Sequence, residues 1–299
     1  MASPKSWLRA MRLRTLPLSL ATILTGNFLA IAVNQWSVLV MIFSILTTIF
    51  LQVLSNLAND LGDHLKGTDN QNRVGPARST QSGEISVKEM KTGIYIFIVL
   101  SLVTGISLLL FSKMEWKGFF VFLGLGIASI FAAIFYTMGK RPYGYRAMGD
   151  VFVFLFFGLL GVGGSFYLNT GIIFNELIFP AASIGFFSAA VLNMNNMRDH
   201  INDKANNKNT LVVFLGFEKA RIYHSFLILG GCAAILIFIL QNYHSPKNLL
   251  FLLAFPIYLL NLVKVWKVND PIDLDPELKK IALGTFLFSI LFGLSIIEF

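Results

Sequence analysis

Apolar residues along this chain run in long blocks and do not form the one-sided stripes of helices that face water. A helix needs about 20 mostly apolar residues to cross a hydrocarbon core. Nine blocks come close to that length: 16–33, 37–56, 92–111, 118–137, 149–168, 172–193, 222–240, 248–265 and 281–298. The pattern predicts an all-α polytopic membrane bundle of nine transmembrane helices. No polar linker divides the blocks, so a single membrane domain over 1–299 is expected. The first block follows a basic stretch, as in a secretory signal. It is too long for one and lacks a clear cleavage site, so a retained first span is expected. Gly158, Gly161, Gly163 and Gly164 crowd the fifth block, where small residues let helices approach closely.

Composition points the same way. Of the 299 residues, 55% are apolar and 13% charged, where a soluble domain carries about a quarter charged. Mean hydropathy is +0.68. The single cysteine, Cys232, leaves no disulfide within the chain. The net charge of +8 is a topology signal and not a nucleic-acid footprint, because of where the charges fall. With nine spans, one side carries the N-terminus and the loops near 57–91, 138–148, 194–221 and 266–280. All Lys and Arg lie on that side or at its membrane edge except Lys113, Lys117 and Lys247. The positive-inside rule puts that side in the cytoplasm and the C-terminus outside.

Two long loops on the basic side carry the candidate chemistry. One reads SNLANDLGDHLKGTDNQNRVGPARSTQSGE (55–84) and the other LNMNNMRDHINDKANNKNTLVVFLG (192–216). An offset of 136 aligns Asn59 with Asn195, Asp63 with Asp199 and His64 with His200, which suggests an internal duplication. Asn59 and Asp63 are four apart, as are Asn195, Asp199 and Asp203, so each set shares a helix face. Asp60 is three from Asp63 and also a neighbour. Grouped carboxylates repel unless a cation sits among them. Oxygen-only ligands suit Mg²⁺, which keeps waters and bridges to phosphates. The candidate metal ligands are Asn59, Asp60, Asp63, Asn195, Asp199 and Asp203. Basic residues near them in sequence suit a diphosphate: Arg12, Arg73, Lys140, Arg141, Arg198 and Lys208, with Arg14, Arg78 and Lys204 close by. Asp63, Asp199, Asp203 and Lys140 are the candidate catalytic residues. A lone loop charge is ordinarily just solvated. Two repeated arrays at membrane helix ends are not ordinary, because charge there is costly. His64 and His200 are expected to make polar contacts, and His224 and His244 to sit at interfaces or in loops. Some of the 29 Phe could face a cationic intermediate.

At these residues the chain resembles the UbiA superfamily of intramembrane prenyltransferases. The resemblance rests on NDLGD (59–63) and NNMRDHIND (195–203), and on RLRTLPLS (12–19), QVLSNLANDLGDHLKGTD (52–69), GKRPYGY (139–145) with Gly149-Asp150, and KNTLVVFLG (208–216). Two positions depart from the pattern. Gly67 stands where many members have a third Asp, with Asp69 two residues on as another candidate ligand. Asn207 stands where Gly is expected, and Asn tolerates the left-handed turn. The resemblance implies helices around a central chamber open toward lipid, with Mg²⁺ and polyprenyl diphosphate held by the two Asp motifs. It further implies 1,4-dihydroxy-2-naphthoate as acceptor, loss of CO₂, and a bacterial inner membrane. A sibling enzyme acting on another acceptor such as 4-hydroxybenzoate is the nearest alternative. A secondary transporter is a remoter one, since its polar groups belong near mid-bilayer and these lie at one face.

Overall fold

A computed structural model describes residues 2–69 and 78–297. Among these, nine helices are long and apolar enough to cross a membrane. The chain starts with a short amphipathic helix, α1 (Pro4–Met11), which continues into α2 (Leu16–Ala32). Then follow α3 (Val38–Leu65), α4 (Val87–Phe111), α5 (Trp116–Phe135) and α6 (Gly149–Thr170). The second half holds α7 (Ile178–Ala205), the short α8 (Leu211–Leu215), α9 (Phe217–Gln241), α10 (Pro246–Lys267) and α11 (Pro271–Ile296). The helix α1 was not among the apolar blocks because it is amphipathic. It buries Ser6 and Ala10 and pairs Arg9 with Glu84.

The largest differences from the expected spans lie where the chemistry is. The blocks 37–56 and 172–193 end well short of the helices that contain them, α3 and α7, which run to Leu65 and Ala205. Each has 28 residues and so is about 42 Å long. That exceeds a hydrocarbon core of about 30 Å. The surplus turns carry the Asp motifs clear of the apolar layer. Hydropathy marks where the membrane ends, not where the helix does.

The duplication is visible with a different register. The helices α3 and α7 start and end 140 residues apart, and α4 and α9 both have 25 residues. Each of α3 and α7 stops at a left-handed residue, Gly67 (φ 73°) and Asn207 (φ 56°). The next amide then bonds back, Thr68 N to Asp63 O (3.0 Å) and Lys208 N to Asp203 O (2.8 Å). Asp63 therefore corresponds to Asp203, one turn beyond the partner expected from the offset of 136. A slip of four residues keeps the same helix face, so pattern matching could not tell the two registers apart.

Close helix approach occurs at some of the expected glycines. A Cβ on Gly158 would lie 2.6 Å from Ala181 O on α7, and one on Gly161 2.9 Å from Thr22 Oγ1 on α2. Gly163 and Gly164 meet only ordinary contacts. The stretch Phe154–Gly164 of α6 is wound as a π-helix, a form that clusters at functional sites. His224 is a correction: it is fully buried and bonds Asn261 Oδ1 at 2.9 Å inside the bundle.

Candidate active site

The ends of α3 and α7 meet on one face of the bundle. Asn202 Nδ2 donates to Thr68 O (3.0 Å), which ties the second motif to the turn after the first. The loop 136–148 joins them from the side: Ala147 N donates to Asn209 O (2.8 Å). Its Tyr145 hydroxyl lies 2.7 Å from both Asp63 Oδ1 and Thr68 Oγ1.

Between the motifs is a void of about 20 Å³ lined by Asp63, Thr68, Asp69, Arg78, Asn195, Asp199, Asn202, Asp203 and Lys208. That is room for about one water or small ion. Lys208 Nζ sits 3.5 Å from Asp63 Oδ2 and 3.8 Å from Asp203 Oδ1, so it bridges the two motifs. Burial pulls its pKa down, and the carboxylates of Asp63 and Asp203 overcome this and hold it above the ordinary lysine value. Burial, with Asp63 alongside, likewise raises the Tyr145 phenol. Tyr145 thus stays a neutral donor toward Asp63.

Asp199 is gripped by Arg198, with Nε to Oδ1 at 2.8 Å and Nη2 to Oδ2 at 2.6 Å. Arg198 also reaches Asn195 Oδ1 (3.0 Å) and pairs with Asp275. Arg78 lies 3.6 Å from Asp69. The donor set is rich in oxygen, as Mg²⁺ prefers. Among the described residues no three carboxylate, imidazole or thiol groups converge into a cage. This fits a hydrated ion bridged by substrate phosphates rather than one enclosed by protein.

Beneath the acidic end opens a chamber of about 590 Å³. Its polar end includes Arg12, Arg14, Asn59, Asp63, Arg78, Asn195, Arg198, Lys208, Asp275 and Lys279. Its depth is apolar, with Leu108, Leu123, Phe152, Phe156, Leu160 and Leu168 among its walls.

Several expected residues stand elsewhere. Asp60 is buried, but its two oxygens accept the amides of Ser79 and Thr80, each at 3.2 Å. It holds the loop after the first motif and lines neither cavity. Lys140 and Arg141 are exposed and line neither cavity. Their segment delivers Tyr143 and Tyr145 instead. Arg73 lies outside the described residues. His200 bonds Met197 O (2.7 Å) and packs on Phe217, a structural role. Thr68, Tyr145 and Asn202 were missed. Asn202 is three residues from Asp199 and could have been read from helical spacing. Tyr145 acts from a loop, where spacing carries no such signal.

A long apolar chamber capped by an acidic, cation-rich aqueous mouth suits an enzyme that handles a membrane-dissolved anion. The chain belongs to the UbiA prenyltransferase family, whose family model matches residues 19–291. It is 43% identical to the 1,4-dihydroxy-2-naphthoate octaprenyltransferase of Haemophilus influenzae, over 98% of this chain and 96% of that one. It is 42% identical to the protein of that name from Escherichia coli, over 98% and 95%. The fold is that of a UbiA homolog from Archaeoglobus fulgidus bound to GPP and Mg²⁺, with a TM-score of 0.65 at 19% identity, covering 98% of this chain and 99% of that one. An apo UbiA homolog from Aeropyrum pernix K1 matches with a TM-score of 0.69 at 13% identity, over 96% and 98%.

Proposed function

We propose that this protein transfers a polyprenyl group from polyprenyl diphosphate to 1,4-dihydroxy-2-naphthoate, a step of menaquinone biosynthesis. The observation that carries the reading is the single chamber joining a charged mouth to an apolar interior. Such a donor is split in the same way. Its tail gains about 0.8 kcal/mol per CH₂ kept from water, while its diphosphate needs cations.

In this reading Lys208, Arg78 and Arg198 hold the diphosphate, and Asp63, Asp199, Asp203 and Asp69 hold hydrated Mg²⁺ against it. The metal supplies charge neutralisation for the departing diphosphate. Tyr145 and Arg198 orient the carboxylates. The allylic C–O bond breaks, and diphosphate leaves with the electron pair. The electron-rich ring forms a C–C bond to the allylic carbon. Its carboxylate leaves as CO₂, giving demethylmenaquinol, the reduced form of demethylmenaquinone. The apolar walls keep water from the allylic cation. We place the protein in the bacterial inner membrane as a single domain, with the Asp motifs cytoplasmic.

The test is an assay of purified protein with Mg²⁺ and a long all-trans polyprenyl diphosphate. Prenylated naphthoate product is expected, with carboxylate label released as CO₂ in step with it. EDTA should stop the reaction and Mg²⁺ restore it. Preference for 4-hydroxybenzoate, or a product that keeps its carboxylate, would overturn the acceptor assignment.

A further inference from the structure

The chamber wall is unevenly sealed. Along the seam of α2 and α11, Thr25 and Ser289 hydroxyls meet at 2.9 Å, and Ser289 also donates to Ala21 O. By contrast α5 packs on α3 and α4 and meets α6 mainly at its two ends. At the far end Phe122 stacks on Tyr167, with centroids 5.3 Å apart and planes 4° apart. At the Asp-motif end Tyr143 donates to Ala132 O on α5 (2.8 Å) and stacks on Phe152 of α6 (4.1 Å).

Between these two latches, Phe122 to Ala132, α5 runs for about 15 Å. Its chamber side there is built of small groups, Gly126 and Ser129, with Ala133 just beyond. Gly126 lines the chamber, is exposed, and has nothing within 4 Å of where a Cβ would stand. Phe152 and Phe156 form the facing edge on α6. The result is an apolar slit, continuous with the chamber that holds Asp63 and Lys208 at its mouth.

We propose that the donor's polyprenyl tail passes from the chamber into the bilayer through this slit, over Gly126, which sets the longest tail accepted. The proposal rests on the prenyl-transfer reading. A tail anchored by its diphosphate at the mouth must cross the wall once it outgrows the chamber. An apolar gap spares it contact with water, and a bilayer beyond takes any further length.

The experiment compares geranyl and octaprenyl diphosphate as donors in wild type, Gly126→Leu and Gly124→Leu. Both positions are helical, and Leu favours a helix over Gly. Gly124 is exposed on the same helix, has the same open space, and does not line the chamber. The ratio of kcat/KM for the long donor over the short one should fall at least about tenfold in Gly126→Leu and stay at the wild-type value in Gly124→Leu. In Gly126→Cys, octaprenyl diphosphate should protect the thiol from a lipid-soluble maleimide, and geranyl diphosphate should not. An unchanged ratio in Gly126→Leu, an equal fall for both donors, or equal protection by both overturns the route. Wild type that transfers neither donor overturns the prenyl-transfer reading itself, a distinguishable failure.

Discussion

Asp60 and Asp63 are three residues apart and look alike in sequence, yet the structure gives them different work. Asp63 faces the chamber and meets Tyr145 and Lys208, whereas Asp60 accepts two loop amides. Their substitutions should separate cleanly. Asp63→Ala and Asp199→Ala are expected to lower kcat by at least about 100-fold, as loss of a group that helps stabilise developing charge does. Protein levels in the membrane should hold. Asp60→Ala strands two buried donors, each costing about 1–3 kcal/mol. Its effect should appear as a lower melting temperature in detergent, with the half-saturating Mg²⁺ concentration near wild type. A normal melting temperature with a raised Mg²⁺ requirement would return Asp60 to the metal site. The spacing of the two Asp residues was legible. Which of them turns toward the chamber depended on loop 78–86, distant in sequence from the second motif.

At the scale of the element, each motif is built from a helix end and the turn that stops it. Gly67 at φ 73° lets Thr68 and Asp69 fold back beside Asp63. An L-residue in that conformation costs about 1–2 kcal/mol. Gly67→Ala should therefore raise the Mg²⁺ concentration for half-maximal activity, since relief of the strain moves Asp69. Asn207 already occupies the equivalent turn at φ 56°. Asn207→Gly should leave activity unchanged and stability equal or slightly higher. Titration of activity with Mg²⁺, beside thermal melts, checks both. Equal Mg²⁺ requirements in wild type and Gly67→Ala would show that the turn does not position a ligand. The motifs at these ends were readable because a helix repeats its face every three to four residues. Their register was not readable, for the same reason.

For the whole molecule, the nine spans bring α1 and the loops after α3, α5, α7 and α10 to one face. Links such as Asn202 to Thr68, Ala147 to Asn209 and Arg198 to Asp275 hold those loops together. Reporter fusions after Gln81, Lys140 and Asn206 should all report the cytoplasm, and those after Lys113 and His244 the opposite side. Opposite readings for Gln81 and Asn206 would break the shared site. The nine blocks, the charge asymmetry and the two acidic arrays were set by the sequence alone, because burial in lipid requires long apolar helices and tolerates charge only at their ends. Tertiary structure decided what those ends do together. It put Lys208 between Asp63 and Asp203, brought in Tyr145 and Asn202, and left Lys140 and Arg141 outside. Contacts between residues more than a hundred positions apart depend on how helices pack and loops close, and no local periodicity records them.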